Sequence, residues 1–180
     1  MRAIKTLLTI LGAAGALGFL PAATAAALQK GLHYDLIAAP QPSEAPPGKI
    51  EVIEFFSYAC PHCYQFEPVI KAWSQKLPKD VVLTHVPLLS GGWSSTGKLY
   101  YTLESLGVED KLRADVFKSL HGDHSMKPED DGKAWAAWAA QRGVDAKQFN
   151  VAYNFIGGKT AQGMQKLKMV EGKGVPSVVV

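Results

Sequence analysis

The sequence predicts a mixed α/β fold carrying a long helical insertion, and three observations lead there. Lys49 to Tyr58 has the two-residue period of a strand, with Ile50, Val52 and Phe56 on one face and Ile53 and Phe55 on the other. A helical pattern follows directly, and Val81 to Val86 makes a second buried strand, so a parallel pair with a right-handed crossover is expected. From Thr96 to Met169 apolar residues recur at helical spacing, before Val175 to Val180 returns to strand character as a third core strand.

Taken in order, residues 1–25 read as a cleaved secretory signal peptide. Arg2 and Lys5 give the positive start, Leu7 to Leu20 is apolar apart from Thr9 and small residues, and Ala23-Thr24-Ala25 supplies the small-x-small site. A retained membrane anchor is the rival reading, but the apolar run falls short of the roughly 18–20 residues of a spanning helix, and Pro21 breaks it. His33 to Ile37 is expected as a short edge strand, and the prolines at 40, 42, 46 and 47 mark a loop. After the first core strand, Phe66, Val69, Ile70, Trp73 and Leu77 define a helix face, closed by Pro78.

Ser90-Gly91-Gly92 is a break. Leu99, Leu103 and Leu106 then share one helix face, with Gly107 ending that segment, and Leu112, Val116, Phe117 and Leu120 define the next. Trp135, Trp138 and Ala139 follow, with Gly143 as C-cap. Asp145 with Gln148 reads as a capping box for a further helix.

The chain has 180 residues with 47% apolar and 19% charged, which suits one packed domain with an insertion. Without Arg2 and Lys5, 17 of the 19 basic residues stand against 16 acidic ones. No basic stripe is present for phosphates, so nucleic acid is not an expected partner.

The chemistry points to two cysteines. Cys60 and Cys63 are the only ones in the chain. A disulfide across two residues removes little entropy from the unfolded chain, so stability is a poor reason for the pair. At i and i+3 on a first helical turn the two share a face at a separation suited to a disulfide. Cys60 falls at the helix N-terminus, where free N–H groups and the dipole favour an anion. Pro61 fits the first helical position, and His62 adds a donor and, when protonated, a positive charge. All three favour thiolate over thiol, which makes the disulfide form oxidising. Cys60 is therefore the expected exposed nucleophile and Cys63 the shielded resolving thiol.

Competing readings of the motif have less support. Zinc needs about four ligands, and the further histidines are His33, His85, His121 and His124, of which His121-Gly122-Asp123-His124 reads as a solvated loop. Haem attachment requires histidine after the second cysteine, where Tyr64 stands. No cofactor or metal is expected. Glu54, six residues before Cys60, falls on an apolar strand face. It is either a strand-edge carboxylate reaching water or a buried acid that exchanges a proton with Cys63. Pro176 opens the last strand and is either an ordinary trans proline or a cis one. In the cis form it would present the backbone edge at Val175 to a bound peptide.

At these residues the chain resembles the periplasmic thiol–disulfide interchange proteins of the DsbA type. The resemblance rests on Glu54-Phe55-Phe56-Ser57, Cys60-Pro61-His62-Cys63-Tyr64-Gln65-Phe66-Glu67, Leu106-Gly107-Val108-Glu109-Asp110 and Gly174-Val175-Pro176. It implies a thioredoxin-like fold with an inserted α-helical domain. The divisions are 1–25 for the signal peptide, 26–92 for the first part of the thioredoxin-like domain, 93–168 for the insertion, whose last helix returns to the core, and 169–180 for the second part. It implies that Cys60 is the nucleophile, Cys63 the resolving thiol, Glu54 the buried acid and Val175-Pro176 a cis-proline turn.

As partners it implies newly exported proteins with free thiols and a quinone-linked inner-membrane re-oxidant of the DsbB type, with the chain a periplasmic monomer. Two departures stand out. The family continues past the cis-proline strand with a partner strand and a final helix, which are missing here after Val180. It also places a lysine near the buried acid, where this stretch reads Val82-Leu83-Thr84-His85-Val86. The rival functions are a disulfide reductase or isomerase on the same fold and a non-catalytic binding module.

Overall fold

The computed structural model describes residues 27–37 and 42–180, so the expected signal peptide and part of the proline loop lie outside the described residues. Two compact units divide the chain, Met1–Leu36 and Ile37–Val180. In the first, residues 27–36 are exposed, with a turn over 31–33 bracketed by a bridge between Lys30 and Tyr34. This replaces the edge strand expected at 33–37. Leu32 and Leu36 stay in solvent, so no buried face rewards an extended chain.

The second unit is built on a three-stranded sheet in the order β2-β1-β3. Strand β1, Ile50–Phe56, is central. It pairs in parallel with β2, Val81–Pro87, from Ile50↔Val81 to Phe56↔Pro87, and antiparallel with β3, Ser177–Val179, through Ile53↔Val179 and Phe55↔Ser177. β1 is buried on both faces from Glu51 onward, as its apolar alternation requires. β2 is half-buried rather than fully buried over its first five residues, because it is an edge strand of this sheet.

Helix α1, Pro61–Ser74, takes Pro61 at its start and carries a second proline, Pro68, within it. Pro68 has no N–H to offer the Tyr64 carbonyl one turn back. The buried stripe is Cys63, Glu67 and Ile70. Of the expected face, Ile70 is buried and Phe66 and Leu77 are half-buried, whereas Val69 and Trp73 turn outward, 58% and 41% exposed. An ion cluster holds Glu67 inward and so decides which side of the helix faces the core.

Five more helices follow: α2 Ser94–Ser105, α3 Glu109–His121, α4 Gly132–Ala140, α5 Ala146–Phe155 and α6 Gly157–Leu167. The caps at Asp145, Gly107 and Gly143 match the sequence signals, and Asp131 is one that those signals did not include. Asp131 and Asp145 accept the N–H groups of Ala134 and Gln148, and Gly107 and Gly143 adopt positive φ past the ends of α2 and α4. Leu112, Val116, Phe117, Leu120, Trp135, Trp138 and Ala139 are all buried. Among the described residues no helix is long and apolar enough to cross a membrane.

Two apolar clusters result. The larger joins Phe56, Tyr58, Cys60 and Cys63 to the insides of α2, α3 and α4. The smaller lies on the other face of the sheet, where Ile53, Phe55 and Val86 meet Val170, with Leu167 and Val179 packed against them. Val175 touches both clusters, so the loop before β3 sits where the two meet.

Candidate functional site

Cys60 caps the N-terminus of α1 in an extended conformation, with no side chain closing the end of the helix. The first-turn N–H groups therefore remain available to an anion at this position. Pro61 and His62 are exposed on the first turn. Both cysteines are thiols, and both are buried, at 4% exposure for Cys60 and 1% for Cys63. The expectation of an exposed Cys60 is thus corrected. Its Sγ lies 3.4 Å from the Val175 carbonyl oxygen, to which it donates, and the loop before β3 screens it. The Val175-Pro176 peptide is cis, the alternative that composition alone left open.

Cys63 receives the Ser57 N–H at 3.5 Å. Burial pushes its thiol far up, and the neighbouring Cys60 and the Glu54 carboxylate add to the rise against the Ser57 hydrogen bond. A buried thiol that resists ionisation is a poor spontaneous nucleophile and needs a proton acceptor nearby.

Glu54 is a buried acid whose charge opposes ionisation of Cys63. It projects from the middle of β1 at 1% exposure. Its Oε2 accepts from Arg113 Nη2 at 3.0 Å and meets His85 Nδ1 at 2.6 Å, while Oε1 is buried without a hydrogen-bond partner among the described residues. The pairing with His85 follows from register, since Glu54 lies opposite His85 in the parallel ladder. The reading of Glu54 as a strand-edge group in water does not hold.

Arg113, on α3, also donates from Nε to Glu67 at 2.7 Å and from Nη1 to Glu109 at 3.2 Å. Its guanidinium lies 4.2 Å from the centre of the Phe56 ring. Burial disfavours its cation, but the Tyr58 hydroxyl, Glu109, Glu67 and Glu54 outweigh that and hold its pKa above the ordinary arginine value. Burial likewise raises Glu67 above the usual carboxylate range despite the opposing pull of Arg113. Removing one partner from such a buried cluster costs about 3–5 kcal/mol, because the others remain desolvated and unpaired.

The turn between β1 and α1 is held from α3 as well. Tyr58 donates its hydroxyl to Glu109 at 2.5 Å, and its carbonyl oxygen takes a hydrogen bond from His121 Nε2 at 2.7 Å. His121 belongs to the last turn of α3, half-buried and stacked on Tyr64 at 5.3 Å, so the solvated loop expected at 121–124 begins only after it.

Sequence reasoning placed Cys60, Cys63, His62, Pro61, Glu54, Val175 and Pro176 as candidates; the structure brings Val175 to Cys60, buries Cys63 and Glu54, and leaves Pro61 and His62 exposed. It missed Arg113, Tyr58, Glu109 and Glu67. The signal for Arg113 was a Glu–Arg pair at i and i+4, Glu109 and Arg113, a spacing that ordinarily marks an exposed helix face.

No family model matches the chain. Among curated proteins, the thiol:disulfide interchange protein DsbA of Burkholderia cepacia is 38% identical over 98% of this chain and 84% of its own. That of Pseudomonas aeruginosa PAO1 is 41% identical over 83% of this chain and 71% of its own. The crystal structure of Pseudomonas aeruginosa DsbA superposes with a TM-score of 0.73 at 40% identity, covering 79% of this chain and 74% of that one. A Proteus mirabilis DsbA variant with a non-covalently bound cysteine-containing peptide superposes with a TM-score of 0.70 at 26% identity, covering 86% and 82%.

Proposed function

The chain belongs to the DsbA family of thiol:disulfide interchange proteins and is a thiol–disulfide oxidoreductase of thioredoxin-like fold, and from that premise we propose that it donates the Cys60–Cys63 disulfide to protein substrates. The observation that carries this reading is the asymmetry of the two sulfurs. Cys60 faces the Val175 carbonyl at the open end of α1, whereas Cys63 sits one turn deeper in a site that opposes its ionisation.

In the donating direction a substrate thiolate attacks the Cys60 sulfur. A new substrate–Cys60 bond forms, and Cys63 leaves and takes up a proton. A second substrate thiolate then attacks the substrate sulfur of that bond, so the substrate leaves oxidised and Cys60 leaves as a thiolate stabilised at the helix N-terminus. Glu54 supplies the proton to Cys63 and takes it back on re-oxidation. Pro61 starts the helix, and His62 stands in solvent where it can meet the incoming chain. The backbone at Val175 and Pro176 is the natural contact for an extended substrate segment. A Proteus mirabilis relative with a non-covalently bound peptide supports peptide binding in general.

The substrates fit newly exported proteins with free thiols. Their setting is the periplasm, reached through a cleaved signal peptide over residues 1–25, with the chain acting as a monomer re-oxidised by a DsbB-type membrane partner.

Substitution separates the two sulfurs. With a peptide disulfide as probe, C63S accumulates a stable mixed disulfide at Cys60, and C60S forms none. Equilibration with glutathione fixes the direction, since an oxidant leaves most of the protein reduced. Mixed disulfide trapped at Cys63, or an equilibrium that leaves the protein oxidised, would overturn the proposal.

A further inference from the structure

The Cys63 proton needs an acceptor that is both charged and correctly aimed, and the geometry of the buried ion cluster names the residue that arranges this. Three carboxylates from three elements, Glu54 of β1, Glu67 of α1 and Glu109 of α3, converge on one guanidinium. Each bond uses a different nitrogen of Arg113, so the planar fork fixes where each oxygen lies. Without a cation between them, close carboxylates in a desolvated site cannot all stay ionised.

We propose that Arg113 is a positioning residue for disulfide exchange, a clamp that ties Glu54 to Glu67 and Glu109 and keeps its carboxylate ready to take the Cys63 proton. The inference rests on Glu54 being the proton partner of Cys63. The charged and titratable groups facing Glu54 are His85 from β2, Arg113 with Glu109 from α3, and Glu67 with Cys63 from α1. Among the described residues only Arg113 touches all three carboxylates. It is also the one that cannot act as a relay, because its surroundings hold its protons on.

The affected step is the closing of the dithiol. Cys60 is first joined to one sulfur of a small disulfide oxidant, and the other sulfur of that oxidant departs as a thiolate. The Cys63 thiol then passes its proton to Glu54, and its sulfur attacks Cys60. The Cys60–Cys63 bond forms, and the remaining oxidant sulfur leaves with the bonding pair as a second thiolate. The protein loses two electrons and the oxidant gains them. With the clamp removed, Glu54 faces Glu67 and Glu109 with no guanidinium between them, and this step slows at neutral pH but recovers in alkali.

The test uses oxidised glutathione as the probe and follows the decay of the mixed disulfide at Cys60 across pH in wild type, R113M, R113K and E54Q. In R113M the acid limb of the profile is expected to move up by about one pH unit, the lower end of what an adjacent opposite charge does, with a rate about tenfold lower on that limb and a normal alkaline plateau. R113K retains the charge but loses the fork, so an intermediate shift is expected. Should R113M not fold, R113K carries the test. If the R113K profile overlays that of wild type while only the melting temperature falls, Arg113 is structural and the proposal fails. If E54Q leaves the profile in place, Glu54 is not the proton partner and the underlying reading fails with it. If E54Q moves the limb and neither arginine variant does, only the clamp is refuted.

Discussion

The ring and the hydroxyl of Tyr58 have separate tasks. The ring packs edge-on against Phe56 and Phe117, with centroids 5.1 and 5.0 Å away, while the hydroxyl reaches Glu109 in the ion cluster. Tyr58→Phe keeps the packing and leaves the Glu109 carboxylate short of a donor in a buried place. The expected loss is about 1–3 kcal/mol, read as a lower midpoint in urea unfolding with an unchanged slope. The same residues show what a sequence conveys and what it withholds. Glu54 stood out because it interrupts an apolar strand face at a countable position. Arg113 did not, since its partners Glu67 and Glu54 lie 46 and 59 residues away, and no local period encodes a contact of that range.

Among the elements, the helices are where periodicity was most informative. The apolar stripe of α3 and the aspartate cap of α5 lie where their sequence places them. In α1 the pattern placed Ile70 but misled at Val69 and Trp73, because a glutamate occupies the inward face and periodicity counts a carboxylate as outward. The pairing of α2 with the segment after β2 depends on Gly97. A Cβ there would stand 2.6 Å from the Leu88 carbonyl oxygen and 2.7 Å from Leu89 Cδ2. Gly97→Ala must push the helix off this backbone and is expected to cost about 1–3 kcal/mol, visible as a lower unfolding midpoint. By contrast, Gly92 has open space around its Cβ position, and Gly92→Ala serves as the control.

For the whole molecule, a second ion group, buried at Lys166 and Glu51 and exposed at Glu44, joins the sheet to α6. Lys166 Nζ meets Glu51 at 2.9 Å and Glu44 at 2.8 Å. Burial opposes the charge on Glu51, but the hydrogen bonds from Lys166, the Glu44 backbone and Ser43 prevail and hold its carboxyl below the ordinary 4.5. A carboxyl with a lowered folded pKa contributes stability above its unfolded value and loses it as pH falls through the folded one. Wild type should therefore melt above E51Q at neutral pH, with the gap closing as pH drops below 4.5. A gap that stays constant into acid would show that Glu51 contributes packing and not charge.

The central place of β1 also sets an order of events during synthesis. The strand and its parallel neighbour β2 emerge early, whereas β3 and the residues that cover Ile53 and Phe55 arrive only after the whole helical stretch. A growing chain therefore carries an uncovered greasy sheet face while α2 to α5 are being made, and long-range closure of this kind is slow. Nascent chains halted before Val170 should recruit holdases that release their grip once Val179 has docked.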